Sequence, residues 1–249
     1  MKLNSVGFVV ALHAEARALT RAAVLPETLV PLVDGCALWL SGMGQGAARR
    51  GALALADAGA QALVSFGVAG ALQAGLHSGT LICPQRVLND SGLAHATDPE
   101  WREQLHRRLH GAVLKVAFDL DLLSVSRPLL TVEEKASAHQ RCSAAAVDTE
   151  SAAVAAVAVE LKLPFMVLRA IVDERDDPIP EALQAAIDPW GRPRPARMIA
   201  ALLQNPQLLL RLPGLAVRMN KAVRSLRAAA LIVPGLQPLP SAHAVVHPS

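Results

Sequence analysis

The chain has 249 residues, of which 52% are hydrophobic, 18% are charged and 3% are aromatic, with a formal net charge of +3. This apolar fraction is ample for a large core and excludes a chain that is disordered throughout. The small number of aromatic residues argues against a protein that binds nucleic acid by stacking on the bases. No stretch reaches the roughly 18 apolar residues of a membrane-spanning helix. The three cysteines are widely spaced, which argues against a disulfide framework or a zinc site and suits a reducing cytosol.

Short apolar runs alternate with Ala-rich stretches along the chain, a pattern typical of a largely parallel sheet covered by helices. Strands are predicted, in chain order, at 6–12, 36–40, 62–66, 80–88 and 165–172, and helices at 15–24, 47–58, 133–139 and 151–161. Five prolines between residues 178 and 195 predict a loop, because a core strand or helix does not tolerate them. A Leu/Arg-rich helical segment follows this loop. The pattern predicts an α/β fold.

Three carboxylates stand out by their positions in this pattern. Asp173 ends the last predicted strand, where ligands gather in open α/β sheets. Glu150 precedes an Ala-rich helix, and Glu15 follows the first strand. Each also has a plain structural interpretation, since an acid at a helix start can simply complement the helix dipole. Position therefore makes the three acids candidates for a site without deciding their roles.

Two glycine-rich segments follow predicted strands. Ser41-Gly42-Met43-Gly44 comes after the second strand, and Gly67-Val68-Ala69-Gly70, after the third, is predicted to be a tight turn. Glycine allows positive φ and lets a ligand approach the backbone closely, although both segments also fit ordinary strand-to-helix turns. The chain lacks the full dinucleotide-binding fingerprint, which disfavours a Rossmann oxidoreductase.

Taken in order, these segments resemble the nucleoside phosphorylase/nucleosidase superfamily over about residues 6–177. The resemblance is carried by five blocks in the family's order: Glu15, 41–44, 67–70, 147–151 (Val-Asp-Thr-Glu-Ser) and 169–173 (Arg-Ala-Ile-Val-Asp). It implies a three-layer nucleoside phosphorylase-like fold, with a central mixed twisted sheet flanked by helices and a helical C-terminal extension. We predict a nucleoside phosphorylase-like catalytic domain at 1–187, a Leu/Arg-rich helical extension at 188–235 and a disordered tail at 236–249.

The resemblance also implies roles for the acids. Asp173 would protonate the leaving purine at N7, Glu150 would bind the ribose hydroxyls, and Glu15 would activate the attacking water. Met43 and Thr149 would line the base or sugar, with Thr149 standing where the family usually has Met. The other expected substrate-binding residues are Ser41, Gly44, Ala69, Gly70 and Leu130. No metal and no cofactor are implied, and phosphate is needed only if the enzyme is a phosphorylase.

The choice between water and phosphate depends on two positions. Phosphorylases of the superfamily typically carry an Arg and a Ser where this chain has Ser65 and Val68. Neither residue supplies a positive charge for a dianion, which favours hydrolysis. Backbone amides around 42–44 leave phosphate binding open. A methylthioadenosine/S-adenosylhomocysteine nucleosidase and a phosphate-dependent purine phosphorylase remain the alternatives.

The C-terminal extension is basic, with eight Lys or Arg residues and no acid between residues 191 and 231. On a helix over 215–231, apolar and basic residues fall on opposite faces, which suits either peripheral membrane contact through 205–231 or packing on the domain. RNA binding by this basic tail is disfavoured by the low aromatic content, so no nucleic-acid partner is expected. Segment 188–192 and the 147–151 variant resemble the hopanoid-associated phosphorylase subgroup, which implies cleavage of adenosylhopane to ribosylhopane and adenine. The resemblance further implies a cytoplasmic homodimer or higher homo-oligomer, at the inner face of the membrane if the tail binds lipid.

Overall fold

The computed structural model of the protein describes residues 6–110 and 112–232, and it confirms a mixed sheet flanked by helices on both faces. The strands are β1 Val6–Val10, β2 Leu29–Pro31, β3 Ala37–Leu40, β4 Ala62–Ala71, β5 Leu81–Ile82, β6 Arg86–Asn89, β7 Ala94–Ala96, β8 Val116–Ala117, β9 Asp121–Ser124, β10 Ala146–Asp148 and β11 Phe165–Asp173. The α-helices are α1 His13–Leu19, α2 Gln45–Asp57, α3 Pro99–Leu109, α4 Val132–Cys142, α5 Ser151–Leu161, α6 Glu181–Ala185, α7 Pro195–Gln204 and α8 Leu208–Ile232. The predicted tail at 236–249 lies outside the described residues.

The long strand β4 is the centre of the sheet. Its first half runs parallel to β1 on one side, and nearly its whole length runs parallel to β11 on the other; β1 also runs parallel to β3. Its last residues pair antiparallel with β10. Parallel strands end at the same edge of a sheet, so the carboxyl ends of β1, β3, β4 and β11 lie close together. This edge is where a ligand site is expected in an α/β fold.

Small residues pack the helices tightly on the sheet. On one face, α2 buries Ala48, Ala52 and Leu55 in the same core as Val154 and Val157 of α5. On the other face, α1, α3 and α8 share a second core with β1, β4 and β11. Each of these five helices therefore presents an apolar side to the sheet, as expected for a three-layer α/β arrangement.

The predicted strand over 80–88 is two strands instead of one. β5 ends at Ile82 and β6 begins at Arg86, with Pro84 between them. Proline has no N–H to donate to a ladder, which explains why a central strand is interrupted there. The helix predicted over 15–24 ends at Leu19, because Thr20 has an extended backbone (φ −148°). The predicted proline-rich loop contains the short helix α6. Elements absent from the sequence-based prediction are β2, β7, β8, β9, β10 and α3.

The prediction of a tight turn at Gly67–Gly70 is wrong, because β4 continues through these residues to Ala71. The glycines are required for space. A Cβ atom on Gly67 would lie 2.3 Å from Glu15 Oε1 and 2.5 Å from Arg169 Nη1, and one on Gly70 would lie 2.7 Å from Asp173 Oδ2. These glycines therefore let charged side chains lie directly on the strand, whereas Gly42 and Gly44 have the positive φ of a true turn.

The segment from 188 onward packs on the α/β domain. The carbonyl oxygens of Pro189 and Trp190 accept hydrogen bonds from Met43 N (2.8 Å) and His13 N (3.1 Å), which ties this segment to the loops after β3 and β1. Helix α8 buries Ala222 and Leu226 against the domain. In the described parts of the chain, none of the helices has both the length and the apolar character required to cross a bilayer.

Candidate active site

The three candidate carboxyls line one cleft at the carboxyl edge of the sheet. Glu15 projects from the first turn of α1, Glu150 directly precedes α5, and Asp173 is the last residue of β11. All three are buried, with 1%, 5% and 5% of their surface exposed, and the cleft has about 650 Å³ of empty space including its mouth. The expected meeting of these acids around a common cleft is therefore observed.

Backbone amides hold Glu15 in place. Its Oε2 accepts hydrogen bonds from the N–H groups of Ala11 (3.1 Å) and Leu12 (2.8 Å), and its Oε1 accepts one from Val68 (2.7 Å). Burial raises the pKa of Glu15 to about 7, although the nearby Arg169 and these N–H donors act to lower it. A carboxylate accepts about four hydrogen bonds, so one position remains for a molecule in the cleft. A pKa near neutrality is what a general base requires.

Glu150 is fixed by the glycine-rich turn after β3. The Gly44 N–H donates to its Oε1 (2.8 Å), and the hydroxyl of Thr149 donates to the same oxygen. Its other oxygen, Oε2, lies 3.5 Å from Arg169 Nη2. Burial raises the pKa of Glu150, and the positive charge of Arg169 opposes this. Thr149 therefore contributes a hydrogen bond at a position where the family usually has an apolar side chain.

A buried arginine compensates the charge of the acids on one side of the cleft. Arg169 is 1% exposed and forms an ion pair with Asp148 (2.7 Å) while also reaching Glu150. Its Nη2 donates to the hydroxyls of Ser65 (2.8 Å) and Ser151 (3.2 Å). The positive charge of Arg169 opposes the effect of burial on the pKa of Glu15 and of Glu150, and an unpaired charge in this buried place would be expensive.

The carboxyl of Asp173 forms an ion pair with a buried lysine. The Lys135 ammonium is fully buried and donates to Asp173 Oδ2 and to the carbonyl oxygens of Glu174 and Asp177, both at 2.9 Å. Burial raises the pKa of Asp173, and the negative charge of Asp177 raises it further, whereas the positive charge of Lys135 lowers it. The neighbouring Asp176 instead is exposed and pairs with the partly exposed Arg175.

The other expected substrate-binding residues divide into two groups. Met43, Ala69, Gly70 and Thr149 line the cleft. Three do not line it: Ser41, Gly44 and Leu130. The Ser41 hydroxyl donates to Gly42 O, Gly44 donates its N–H to Glu150, and Leu130 binds backbone to backbone with Ile179. These three shape the loops around the site, while the neighbours of Leu130, Pro128 and Leu129, face the cleft.

Three charged residues of the site were not among the sequence-based candidates: Asp148, Arg169 and Lys135. A sequence signal exists for Arg169, because it is a charge in the middle of the continuous apolar strand 165–172 and such a residue must be paired. Lys135 follows two glutamates on a helix, which is typical of a solvated face. Only the tertiary structure shows that it is buried.

The close approach at Gly67 gives a testable consequence for stability. We expect Gly67→Ala to lower the free energy of unfolding by about 1–3 kcal/mol, because the methyl group would overlap Glu15 and Arg169. Gly46→Ala is the matched control. It lies in α2 with only Arg50 near the added carbon, at 3.9 Å, so stability should be equal or higher. Urea unfolding of both variants checks this, and a Gly67→Ala variant as stable as the wild type would contradict the geometry.

Comparison with known protein families identifies the fold's relatives. The family model described as the phosphorylase superfamily matches residues 32–204, which is more than half of the chain. The chain belongs to the phosphorylase superfamily. Glu15 lies before the matched region, whereas Glu150 and Asp173 lie within it. A search of curated proteins found no match.

Solved structures show the same fold at low sequence identity. A putative 5′-methylthioadenosine/S-adenosylhomocysteine nucleosidase from Francisella philomiragia has a TM-score of 0.68 at 17% identity, with 95% of this chain and 98% of that chain covered. The Neisseria meningitidis 5′-methylthioadenosine/S-adenosylhomocysteine nucleosidase gives 0.66 at 18% identity, covering 94% and 98%. Futalosine hydrolase of Helicobacter pylori gives 0.64 at 16% identity, covering 93% and 96%. This superfamily member therefore has the nucleoside phosphorylase-like fold along nearly its whole length.

Proposed function

We propose that this phosphorylase-superfamily protein is an N-glycosidase that hydrolyses an adenine nucleoside carrying a bulky apolar 5′ substituent, adenosylhopane being the substrate implied by the subgroup resemblance. The observation that carries the proposal is the meeting of Glu15, Glu150 and Asp173 in one cleft whose other walls are mainly apolar. Solved structures with this fold include nucleosidases that act on adenine nucleosides, which supports the proposal.

The three acids divide the reaction between base and sugar. Asp173 gives its proton to purine N7 as the C1′–N9 bond breaks, so adenine leaves as a neutral molecule. Positive charge develops on the ribose, and the Glu150 carboxylate accepts hydrogen bonds from its hydroxyls while stabilising that charge. Glu15 takes a proton from the water whose oxygen bonds to C1′. Glu15 then loses a proton and Asp173 regains one, so water is the net reactant.

The charges around the cleft favour water over phosphate. Its charged lining residues are Glu15, Asp148, Glu150 and Asp173, and within the described residues no Lys or Arg side chain lines it. Two of the backbone donors near the glycine-rich turn are engaged, because Met43 N binds Pro189 O and Gly44 N binds Glu150. A phosphate dianion normally requires charge-assisted donors, so this environment repels it.

The surroundings of Ile179 offer room for a bulky 5′ group. Ile179 lines the cleft, and its neighbours Pro178 and Pro180 line a second cavity against α8 that includes Leu210 and Leu215. The lining of this cavity also includes three charged residues, Asp177, Arg211 and Arg218. This cavity has about 630 Å³ of empty space. An apolar substituent that leaves the cleft past Ile179 would reach it, and each buried methylene would contribute about 0.8 kcal/mol.

Release of adenine from a series of 5′-alkyl adenosines tests the proposal. In phosphate-free buffer we expect adenine and the free sugar, with kcat/KM rising by about fourfold for each buried methylene. 5′-Methylthioadenosine is the reference substrate. Release that requires phosphate and yields a sugar 1-phosphate would identify a phosphorylase instead. A preference for methylthioadenosine or S-adenosylhomocysteine over long alkyl groups would favour the alternative nucleosidase.

For such a substrate we propose membrane contact at the junction of α7 and α8. The apolar side of α8 is engaged with the domain at Ala222 and Leu226, so lipid contact there is blocked. Ile199, Leu203 and Leu210 are exposed by 58%, 78% and 85%. Arginines flank them and no acid follows Asp188 in the sequence, which matches an anionic lipid surface.

Sedimentation with phosphatidylglycerol vesicles checks this contact. We expect a Leu203→Ser/Leu210→Ser variant to lose binding, whereas Leu93→Ser, an exposed leucine elsewhere, should bind like the wild type. Equal binding by all three proteins would exclude the α7–α8 junction.

Assembly into a homodimer or larger oligomer stays a prediction, which sedimentation velocity tests; a monomer at working concentration would contradict it.

A further inference from the structure

Lys135 is the most completely enclosed charged side chain near the site. It lies in α4 and has no exposed surface. Its ammonium group has three N–H donors and three acceptors: the Asp173 carboxyl and the carbonyl oxygens of Glu174 and Asp177. Every donor is therefore satisfied. The two carbonyl oxygens fix the ammonium independently of Asp173, so the lysine is a rigid partner for that acid.

Lys135 does not line the cleft, but it contacts Asp173, which does. The lysine binds Oδ2, and in the described part of the chain the Asp173 carboxyl has no other hydrogen-bond partner. Oδ1 is therefore left for a molecule in the cleft. On the side of β4, Gly70 gives the carboxyl room without adding a charge.

The other charged groups facing Asp173 largely oppose each other. Asp177, from the loop after β11, and Arg218, from α8, act on it with opposite signs and lie 3.3 Å apart as an ion pair. Lys135 therefore supplies the main unopposed charge next to the carboxyl. Burial favours the protonated acid, while Lys135 favours the carboxylate.

We propose that Lys135 is a positioning residue for the N-glycosidase reaction: it turns Asp173 Oδ1 toward the purine and stabilises the carboxylate left after proton transfer. This inference rests on the proposed function. The proton moves from Asp173 to purine N7, and Lys135 keeps its three protons throughout. Burial lets Asp173 carry the proton before reaction, and the lysine makes its release easier.

Replacement of Lys135 by an uncharged side chain tests this role. Activity requires protonated Asp173, so it should decline as pH rises through the pKa of this acid. In Lys135→Met we expect that alkaline limb of kcat/KM to move upward by about 1–3 pH units, because an opposite charge has been removed. Lys135→Gln, which keeps donors for the two carbonyl oxygens, should show the same movement. Lys115→Met, at an exposed position, should leave the profile unchanged.

An infrared titration of the Asp173 carboxyl separates this inference from the proposed function. The difference between the spectra of wild type and Asp173→Asn isolates this group, and the Lys135 variants are compared in the same way. We expect the C=O band of the protonated acid to persist to higher pH when Lys135 is replaced. A wild-type protein inactive on every nucleoside would defeat the proposed function, whereas an unmoved titration of Asp173 in the folded variants would overturn the role of Lys135.

Discussion

Asp173→Asn should lower kcat by about 10²- to 10⁴-fold, the usual contribution of a general acid. The amide fills the same space at the end of β11 but has no acidic proton for purine N7. Without that proton, adenine must leave as an anion. Substrate binding depends on the cleft walls and on Glu150, so KM should change far less than kcat. Steady-state assays of adenine release measure both constants.

The matched control is Asp176→Asn, three residues further along the same segment. Asp176 is exposed and pairs with its partly exposed neighbour Arg175, outside the cleft, so activity should stay at the wild-type level. Asp173→Asn also leaves the Lys135 charge without its carboxylate partner, and unfolding curves are needed to show that the variant is folded. A folded Asp173→Asn protein with wild-type kcat would remove this acid from the mechanism.

Glu15→Gln should cause a loss of similar size, about 10²- to 10⁴-fold in kcat, since the amide cannot take a proton from water. In the wild type, activity should fall as pH decreases through about 7, because burial raises the pKa of Glu15 to about 7 and only the carboxylate acts as base. The residual activity of Glu15→Gln should lack this limb. The exposed Glu133→Gln is the control and should keep it. An unchanged acid limb in Glu15→Gln would assign it to another group.

The same pKa predicts how stability depends on pH. The folded protein holds the Glu15 proton more tightly than the unfolded chain, whose ordinary pKa is 4.5. This contribution to stability is fully present below pH 4.5 and is lost as pH rises through about 7, at about 1.4 kcal/mol per pH unit. Urea unfolding at pH 5 and pH 8 should show the decrease, and Glu15→Gln should show a smaller one. Equal pH dependence in the two proteins would contradict it.

The positions of Glu15 and Asp173 after predicted strands were enough to bring both acids to one edge of the sheet, whereas Glu150 follows β10, a strand that the sequence did not predict and that pairs antiparallel with β4. This works because parallel strands end together, so a residue that follows a strand has a known place. The boundaries of α5, Ser151–Leu161, were also predicted correctly, since its Ala-rich run is bounded by Glu150 and by Lys162, which adopts a left-handed conformation.

The sequence does not show what lies beside each acid. Gly67-Val68-Ala69-Gly70 has the composition of a turn, yet it continues β4 because Glu15, Arg169 and Asp173 occupy the space that side chains would fill. Lys135 and Asp173 are 38 residues apart and meet only through the packing of α4 against the end of β11. Such contacts depend on tertiary packing, and local propensity carries no information about them.

The most direct test of the account is a crystal structure of Asp173→Asn with uncleaved 5′-methylthioadenosine. The account predicts that purine N7 lies about 2.6–3.2 Å from the side chain of residue 173, with the ribose hydroxyls on Glu150 and a water between Glu15 and C1′. A nucleoside bound with its adenine turned away from residue 173, or bound outside this cleft, would contradict it.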